Sequence, residues 1–347
     1  MKKIIALLLI LCVAGCVQQA PIDNDMDSEE TGESIKETDT ESDTRETDTD
    51  QMEVSIGFQA LTLGHAPAQM MAQENTMYTI GVDPVPKIND LPGGVTIINA
   101  LSSGEINMVY GGWGFIIPVI KGLPAKIVAG IANGGNSLVC NDESIKSVAD
   151  LKGKTVAVHG QMSTQATVLR LAATEAGLDL EEDLDIVIVD RPSQVIALTE
   201  KKSVDCIVVG EPVVSKAVEA GAFVSVPHTE LYKDNGFPET WVFARTDLIE
   251  NNPEAIEKVL SAHGLAVQSL VIDTENAADV LASYYTEQGL ETDGETVGSQ
   301  VTTYSYTSEI DTELIADTIS FLYDQGLIED TIAIEDLVDC SFGYCLE

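Results

Sequence analysis

Short, wholly apolar runs alternate with helical patterns from residue 53 onward, and this alternation restricts the possible folds most. The runs at 125–131, 137–140, 155–158 and 185–189 have the length of strands and carry apolar side chains at nearly every position. Such runs are typical of strands buried on both faces, and the helical patterns between them supply the covering layers. The sequence therefore predicts an α/β fold with largely parallel sheets flanked by helices.

The amino terminus has the pattern of a secretory signal. Met1-Lys2-Lys3 is cationic, Ile4 to Val13 is apolar, and small residues lead to Cys16. The apolar run is shorter than the roughly 20 residues that span a bilayer. The arrangement resembles the lipid-attachment signal of bacterial and archaeal lipoproteins. We expect residues 1–15 to be removed and lipid to be attached to Cys16.

A strongly acidic segment follows. Residues 17–52 hold thirteen acids against Lys36 and Arg45 and have few large apolar side chains. Such a segment buries too little surface to offset its ordering entropy, and like charges extend it. Residues 16–52 are therefore predicted to be a disordered linker between the lipid and the folded part.

The whole chain of 347 residues has a net charge of −39, which excludes nucleic acid as a partner. An anionic membrane surface would also repel it, so contact with the membrane is expected through the lipid anchor only. The folded part is long enough for two lobes. A monomer is expected.

Four cysteines remain after Cys12 and Cys16 are set aside. Cys340 and Cys345 are a short-loop candidate for a disulfide in an oxidising exterior. Cys140 and Cys206 lie in strand-like runs and are interpreted as buried small apolar residues unless the fold brings them together. No cysteine spacing or histidine pair predicts a metal site, and no nucleophile elbow, P-loop or dinucleotide fingerprint is present. We expect no metal, no cofactor and no enzymatic activity.

Several stretches occur together in a recognisable order: 100–107 (ALSSGEIN), 126–139, 144–158 (SIKSVADLKGKTVAV), 205–212 (DCIVVGEP) and 249–254. This pattern resembles the nitrate/sulfonate/taurine-type solute-binding proteins of ABC importers and covers roughly residues 53–290. The chain departs from the family pattern at Asn107, where Asp is usual, and at Cys206, where Ala is usual.

The resemblance implies a type II periplasmic-binding-protein fold, with two α/β lobes joined by two strand crossings. Lobe one is predicted at 53–136 and 242–347, and lobe two at 137–241. It also implies a receptor outside the cytoplasmic membrane that closes on a small anionic or zwitterionic solute and delivers it to an ABC permease and its ATPase.

The ligand is expected beyond the carboxyl ends of the strands, where five loops meet. The candidate binding residues are Gln59, Leu61, Thr62, His65, Gly112, Trp113, Asn133, Asn136, His159, Gln161, Ser163, Thr164 and Glu211. Ser163 and Thr164 open a helix whose free N–H groups would attract an anion. The five loops hold no Arg or Lys, however, and this leaves a neutral or zwitterionic ligand, or a ring stacked on Trp113, open.

Each candidate also has a structural interpretation. Trp113 would form an apolar wall or pack in the core. Glu211 would bind an amine or cap the following helix. His65 and His159 would donate to a ligand or bond locally.

Two other functions remain as alternatives. One is a sensory protein whose closed form contacts a signalling partner. The other is an enzyme of thiamine-pyrimidine synthesis on the same fold, although those relatives carry a cysteine-rich cluster and work inside cells.

Overall fold

The strand-like runs form two separate sheets in a computed structural model, which describes residues 54–73, 87–91, 94–189, 194, 198–199, 201–232 and 236–346. The predicted signal segment 1–15, Cys16 and the linker 16–52 lie outside the described residues. The strands are β1 (Ser55–Phe58), β2 (Lys87–Asp90), β3 (Met108–Gly112), β4 (Ala125–Gly134), β5 (Ser137–Cys140), β6 (Thr155–His159), β7 (Asp185–Val189), β8 (Cys206–Val209), β9 (Phe223–Val226), β10 (Pro238–Arg245) and β11 (Tyr304–Tyr306).

The helices cover both faces of the sheets. They are α1 (Ala66–Ala72), α2 (Gly94–Ser103), α3 (Ile116–Ile120), α4 (Thr164–Glu175), α5 (Leu180–Asp183), α6 (Val213–Glu219), α7 (His228–Leu231), α8 (Thr246–Asn251), α9 (Pro253–Ile272), α10 (Thr274–Glu287), α11 (Gly294–Val301), α12 (Thr312–Asp324) and α13 (Ile334–Leu337). Short 3-10 turns lie at Leu63–His65, Trp113–Phe115, Val148–Leu151 and Cys340–Phe342.

The first sheet has the strand order β11-β4-β10-β3-β1-β2, and the second has the order β7-β6-β8-β5-β9. Both sheets are mixed. In the first, β1 runs parallel to β2 and β3, while β10 runs antiparallel to β3 and β4. In the second, β6 runs parallel to β7 and β8, while β5 runs antiparallel to β8 and β9. The predicted two-lobe α/β class is confirmed, but the sheets are less parallel than expected because the strands at the lobe crossings reverse direction.

Alternating side chains of one strand enter different cores, as the two-residue period of a strand requires. Met108 and Tyr110 of β3 pack with α1, α9 and α10, whereas Val109 packs on the opposite face. In the second sheet, Val139 of β5 faces α6 and Leu138 faces α4. Both faces are therefore buried, and this is why the strands are apolar at nearly every position.

Two segments connect the sheets. β4 leaves the first sheet and enters the second as β5 through Gly134–Asn136, and the chain returns to the first sheet at β10. Gly135 has φ 82°, and its α-carbon lies so close to the Tyr304 ring that a β-carbon would collide with it. β10 begins at Pro238, so residues 238–241 belong to the first sheet, although the predicted boundary placed them in lobe two.

Two disulfides lie in the described region. Cys140 and Cys206 face each other across the β5–β8 pair and are bonded, so the fold does bring these two strand cysteines together. Cys340 and Cys345 are bonded near the end of the chain. The first bond ties two strands of the second sheet, and the other closes a short surface loop.

The helix α9 has the length and mean hydropathy of a membrane-spanning segment. Its side chains Ile256, Val259, Leu260 and Ala266 are nevertheless buried against the first sheet and its neighbouring helices. Within the described residues it therefore packs as a core helix.

Candidate functional site

A cleft of about 580 Å³ lies where the loops of the two sheets meet. Lobe one contributes residues after β1 and β3, lobe two contributes residues after β6 and β8, and the crossing strand β10 contributes Glu239 and Thr240. The carboxyl ends of β1, β3, β6 and β8 point toward the same space, as expected for open α/β sheets. The volume is that of a small-molecule site.

Most predicted binding residues line this cleft. They are Gln59, Leu61, Thr62, His65, Gly112, His159, Ser163, Thr164 and Glu211. The fold thus brings together loops that are far apart in sequence. A role in binding stays a prediction for each of them.

The other four predicted residues do not line it. Trp113 is fully buried, its indole Nε1–H donates to the Pro238 carbonyl at 2.8 Å, and its ring stacks on Phe237 at 5.4 Å. Asn133 lies in β4, Gln161 is exposed, and Asn136 lies at the crossing. Trp113 thus occupies the core position that was its structural interpretation.

The first loop is held rigidly by a buried glutamine. Gln69 Nε2–H donates to the carbonyl oxygens of Ala60 and Thr62, both at 2.8 Å, and its Oε1 accepts from the Tyr285 hydroxyl at 3.0 Å. A polar side chain this deep is expected to satisfy its hydrogen bonds in this way. The loop that carries Gln59, Leu61 and Thr62 is therefore fixed from within.

His65 closes the same loop as a neutral ring. Its Nδ1 accepts the backbone N–H of Gln59 at 3.0 Å, and burial lowers the pKa of His65 to about 3. The ring proton is therefore on Nε2, which makes His65 a neutral hydrogen-bond donor at neutral pH.

Lobe two contributes the start of α4. Ser163 is the N-cap: its hydroxyl oxygen accepts the N–H of Ala166 at 3.2 Å and donates to the Gly160 carbonyl at 3.0 Å. Gly160 has φ 82°, a conformation that favours glycine. Thr164 reaches across to lobe one, where its hydroxyl donates to the Glu239 carbonyl at 3.0 Å. This end of the cleft therefore presents a helix start and small residues.

Glu211 both caps a helix and faces the cleft. Its Oε2 accepts the N–H of Ser215 at 3.0 Å, and its own carbonyl accepts the N–H of Leu63 from lobe one at 3.2 Å. Burial raises the pKa of Glu211 above its usual range, although the bonds to Ser215 act in the opposite direction. The capping interpretation and exposure to a ligand are therefore compatible.

Glu239 was not among the predicted residues. It stands near the start of β10, is 3% exposed, and lines the cleft. Burial raises its pKa from 4.5 to about 8, while a hydrogen bond from the Asn136 side chain lowers it. Its Oε2 has no hydrogen-bond partner among the described residues. The one sequence signal is its place two residues before the apolar run that begins at Trp241.

Other lining residues were also missed. They include the start of α2, the Tyr110 and Phe115 side chains, Met162, Gln165 and Thr240. None carries a charge, and no Lys or Arg occurs among the described residues that line the cleft. In the described part of the chain, no group of three or more His, Cys, Asp or Glu side chains is arranged to hold a metal ion. The site is therefore a cleft lined by neutral hydrogen-bond donors and by two buried acids, Glu211 and Glu239.

The chain matches the model of the NMT1-like family over residues 47–284. A candidate binding protein of Brucella abortus (strain 2308) is 27% identical over 237 residues, which are 68% of this chain and 72% of that protein. The family match over residues 47–284 includes all the described residues that line the cleft.

Solved structures share the fold. The alkanesulfonate-binding protein SsuA of Xanthomonas axonopodis pv. citri, bound to MOPS, superposes with a TM-score of 0.70 at 18% identity, covering 83% of this chain and 98% of that one. The periplasmic nitrate-binding protein NrtA of Synechocystis PCC 6803 superposes with a TM-score of 0.73 at 17% identity, covering 84% and 87%. At these identities the likeness is one of fold.

Proposed function

Since this chain belongs to the NMT1-like family, we propose that it is an extracytoplasmic solute-binding protein that captures a small molecule between its two lobes and delivers it to an ABC importer. The observation that carries this proposal is the cleft of about 580 Å³, which residues of both sheets line. A ligand in such a cleft touches both lobes at once and so stabilises the closed form.

The connections between the lobes suit opening and closing. In the described part of the chain two segments cross between the sheets. The hydrogen bonds between the lobes near the cleft include Leu63–Glu211, Thr164–Glu239 and Trp113–Thr164, and we expect these to change on opening. Closure excludes water and strengthens polar contacts with the bound molecule. The solved relatives named as sulfonate-binding and nitrate-binding proteins have the same fold, which supports a solute as the ligand.

Solute capture is tested by thermal unfolding against a panel of sulfonates, nitrate, bicarbonate, amino acids and pyrimidines. Binding raises the free energy of unfolding by about 2.7 kcal/mol at a ligand concentration of 100 times Kd. A hit is then followed by small-angle scattering, where we expect a smaller radius of gyration with solute. Conversion of a hit into product, or no binding by any class of solute, would refute the proposal.

The permease, the ATPase and the lipid anchor belong to the same proposal. Solute-loaded protein is expected to stimulate ATP hydrolysis by the reconstituted importer, and solute-free protein is expected to stimulate it less. Cys16→Ala is expected to release the chain from the membrane fraction because the anchor would be lost. Retention of the variant in that fraction would argue against attachment at Cys16.

A further inference from the structure

Two buried acidic residues line the cleft, one from lobe two and one from the crossing strand β10. Glu211 follows β8 in lobe two and is 8% exposed, and Glu239 stands near the start of β10. Buried acids are normally paired or fully hydrogen-bonded. Glu239 is not, because its Oε2 has no partner in the described part of the chain.

No Lys or Arg among the described lining residues offsets these acids, although two histidines, His65 and His159, also line the cleft. The buried His65 ring is uncharged at neutral pH. The titratable groups that interact with these acids from neighbouring elements are phenols. Tyr304 of β11 interacts with both acids, Tyr306 of β11 with Glu239, and Tyr285 of α10 with Glu211. The described lining residues therefore offer no Lys or Arg to pair with these acids when they ionise, and a bound solute is the available source of a countercharge.

We infer that the solute carries a cationic nitrogen group, such as an ammonium, amidinium, guanidinium or protonated amino-heterocycle, which donates hydrogen bonds to Glu239 and Glu211. This inference rests on the proposed function and defines its substrate class. The remainder of the molecule lies toward Gly112, Ser163 and Thr164, where a helix start accommodates neutral or anionic groups. Cationic and zwitterionic solutes are therefore accepted, and free inorganic anions are not.

The physical reason is that a positive group on the solute would compensate the negative charge of the buried carboxyl groups. A cation within hydrogen-bond reach of a buried carboxyl favours the ionised acid, whereas an anion in the same place would meet a negative field. The raised pKa of Glu239, about 8, means that the solute-free protein holds a proton there at neutral pH. Binding of a cation must release that proton. The affinity for the cation should therefore rise by up to about tenfold for each unit by which the pH increases, until the pH reaches about 8. A neutral carboxyl that donates to an anion would give the opposite dependence on pH.

The test uses probes that differ only at the charged group. Benzamidinium is compared with benzenesulfonate, and taurine with isethionate, in which a hydroxyl replaces the ammonium. Each is titrated calorimetrically into the full-length protein, Glu239→Gln, Glu211→Gln and the control Glu250→Gln, whose side chain is exposed. Two buffers of different ionisation enthalpy report the number of protons released.

We expect benzamidinium, taurine or both to bind with proton release, and Glu239→Gln to weaken that binding at least about tenfold while Glu250→Gln leaves it unchanged. Benzenesulfonate and isethionate are expected not to bind. Binding of either anion, or unchanged affinity for the cationic probes in both Glu239→Gln and Glu211→Gln, overturns the inference and leaves the proposed function intact. If none of the four probes binds and no solute of the wider panel binds, both the inference and the proposed function are refuted. If the panel yields only anions as ligands, the inference alone is refuted.

Discussion

Replacing Glu239 with Gln should change how folding stability depends on pH. Burial raises the pKa of Glu239 from 4.5 to about 8, so the folded protein keeps a proton that the unfolded chain loses above about pH 4.5. The stability that this proton supplies is fully present below pH 4.5 and declines until the pH passes 8. At 1.36 kcal/mol per pKa unit, the full loss is about 5 kcal/mol. Glutamine has nearly the same shape and no charge to bury.

The difference between the two proteins isolates this effect. Between about pH 6 and pH 8, the free energy of unfolding of Glu239→Gln minus that of the natural protein should grow by about 2–3 kcal/mol and then level off. The buried His65 and His263 have pKa values lowered to about 3 and about 4, so they add stability above their ordinary value of 6.5 that is lost as pH falls. Both histidines are present in both proteins, so their contribution cancels.

Urea unfolding provides the measurement, and fluorescence reports it because Trp113 and Trp241 are both buried. Glu250→Gln removes an exposed carboxyl and serves as the control, for which the difference should stay near zero. A difference that is independent of pH over this range would show that Glu239 is ionised in the folded protein. The argument from its burial would then be refuted.

Three further changes have distinct expected outcomes. Gly112→Ala places a methyl group against the Thr164 hydroxyl and 2.8 Å from the Glu239 carbonyl oxygen, so the solute affinity measured by calorimetry should fall. Gly114→Ala places its methyl group no closer than 3.7 Å to any neighbour and should retain the affinity. Equal effects of the two variants would contradict this expectation. Trp113→Ala should lower the free energy of unfolding by about 3–5 kcal/mol in urea because it empties a buried site. A loss below about 1 kcal/mol would refute its place in the core. Replacing Cys140 and Cys206 with Ala should cost about 2–4 kcal/mol, and an unchanged Tm would argue against the bond between them.

Much of the fold could be predicted because its signals are local. The predicted strand at 185–189 has the same bounds in the structure, and the helix that Ser163 and Thr164 were predicted to open is α4. The helix is delimited by the Ser163 cap at one end and by Gly177, with φ 76°, just after the other. Apolar runs predict buried strands because a strand covered on both faces has no polar positions.

Elements without such signals were missed. β2, β11 and α11 are short or alternate with polar residues, and their pairing depends on residues far away in sequence. The predicted lobe boundary between residues 241 and 242 falls inside β10, because the first residues of this strand, Pro238, Glu239 and Thr240, are not an apolar run. Trp113 illustrates the reverse case, since its position beside a glycine loop suggested the cleft and its aromatic neighbours hold it in the core.

The amino-acid sequence by itself determined the α/β class, the order of most strands and helices, and the loops that follow β1, β3, β6 and β8. Local propensity and hydrophobic period encode these features directly. Only the tertiary structure decided that Glu211 and Glu239 are both buried in one cleft whose described lining residues include no Lys or Arg. The charge that a site selects depends on burial and on neighbours across the fold, and neither can be read from the spacing of residues along the chain.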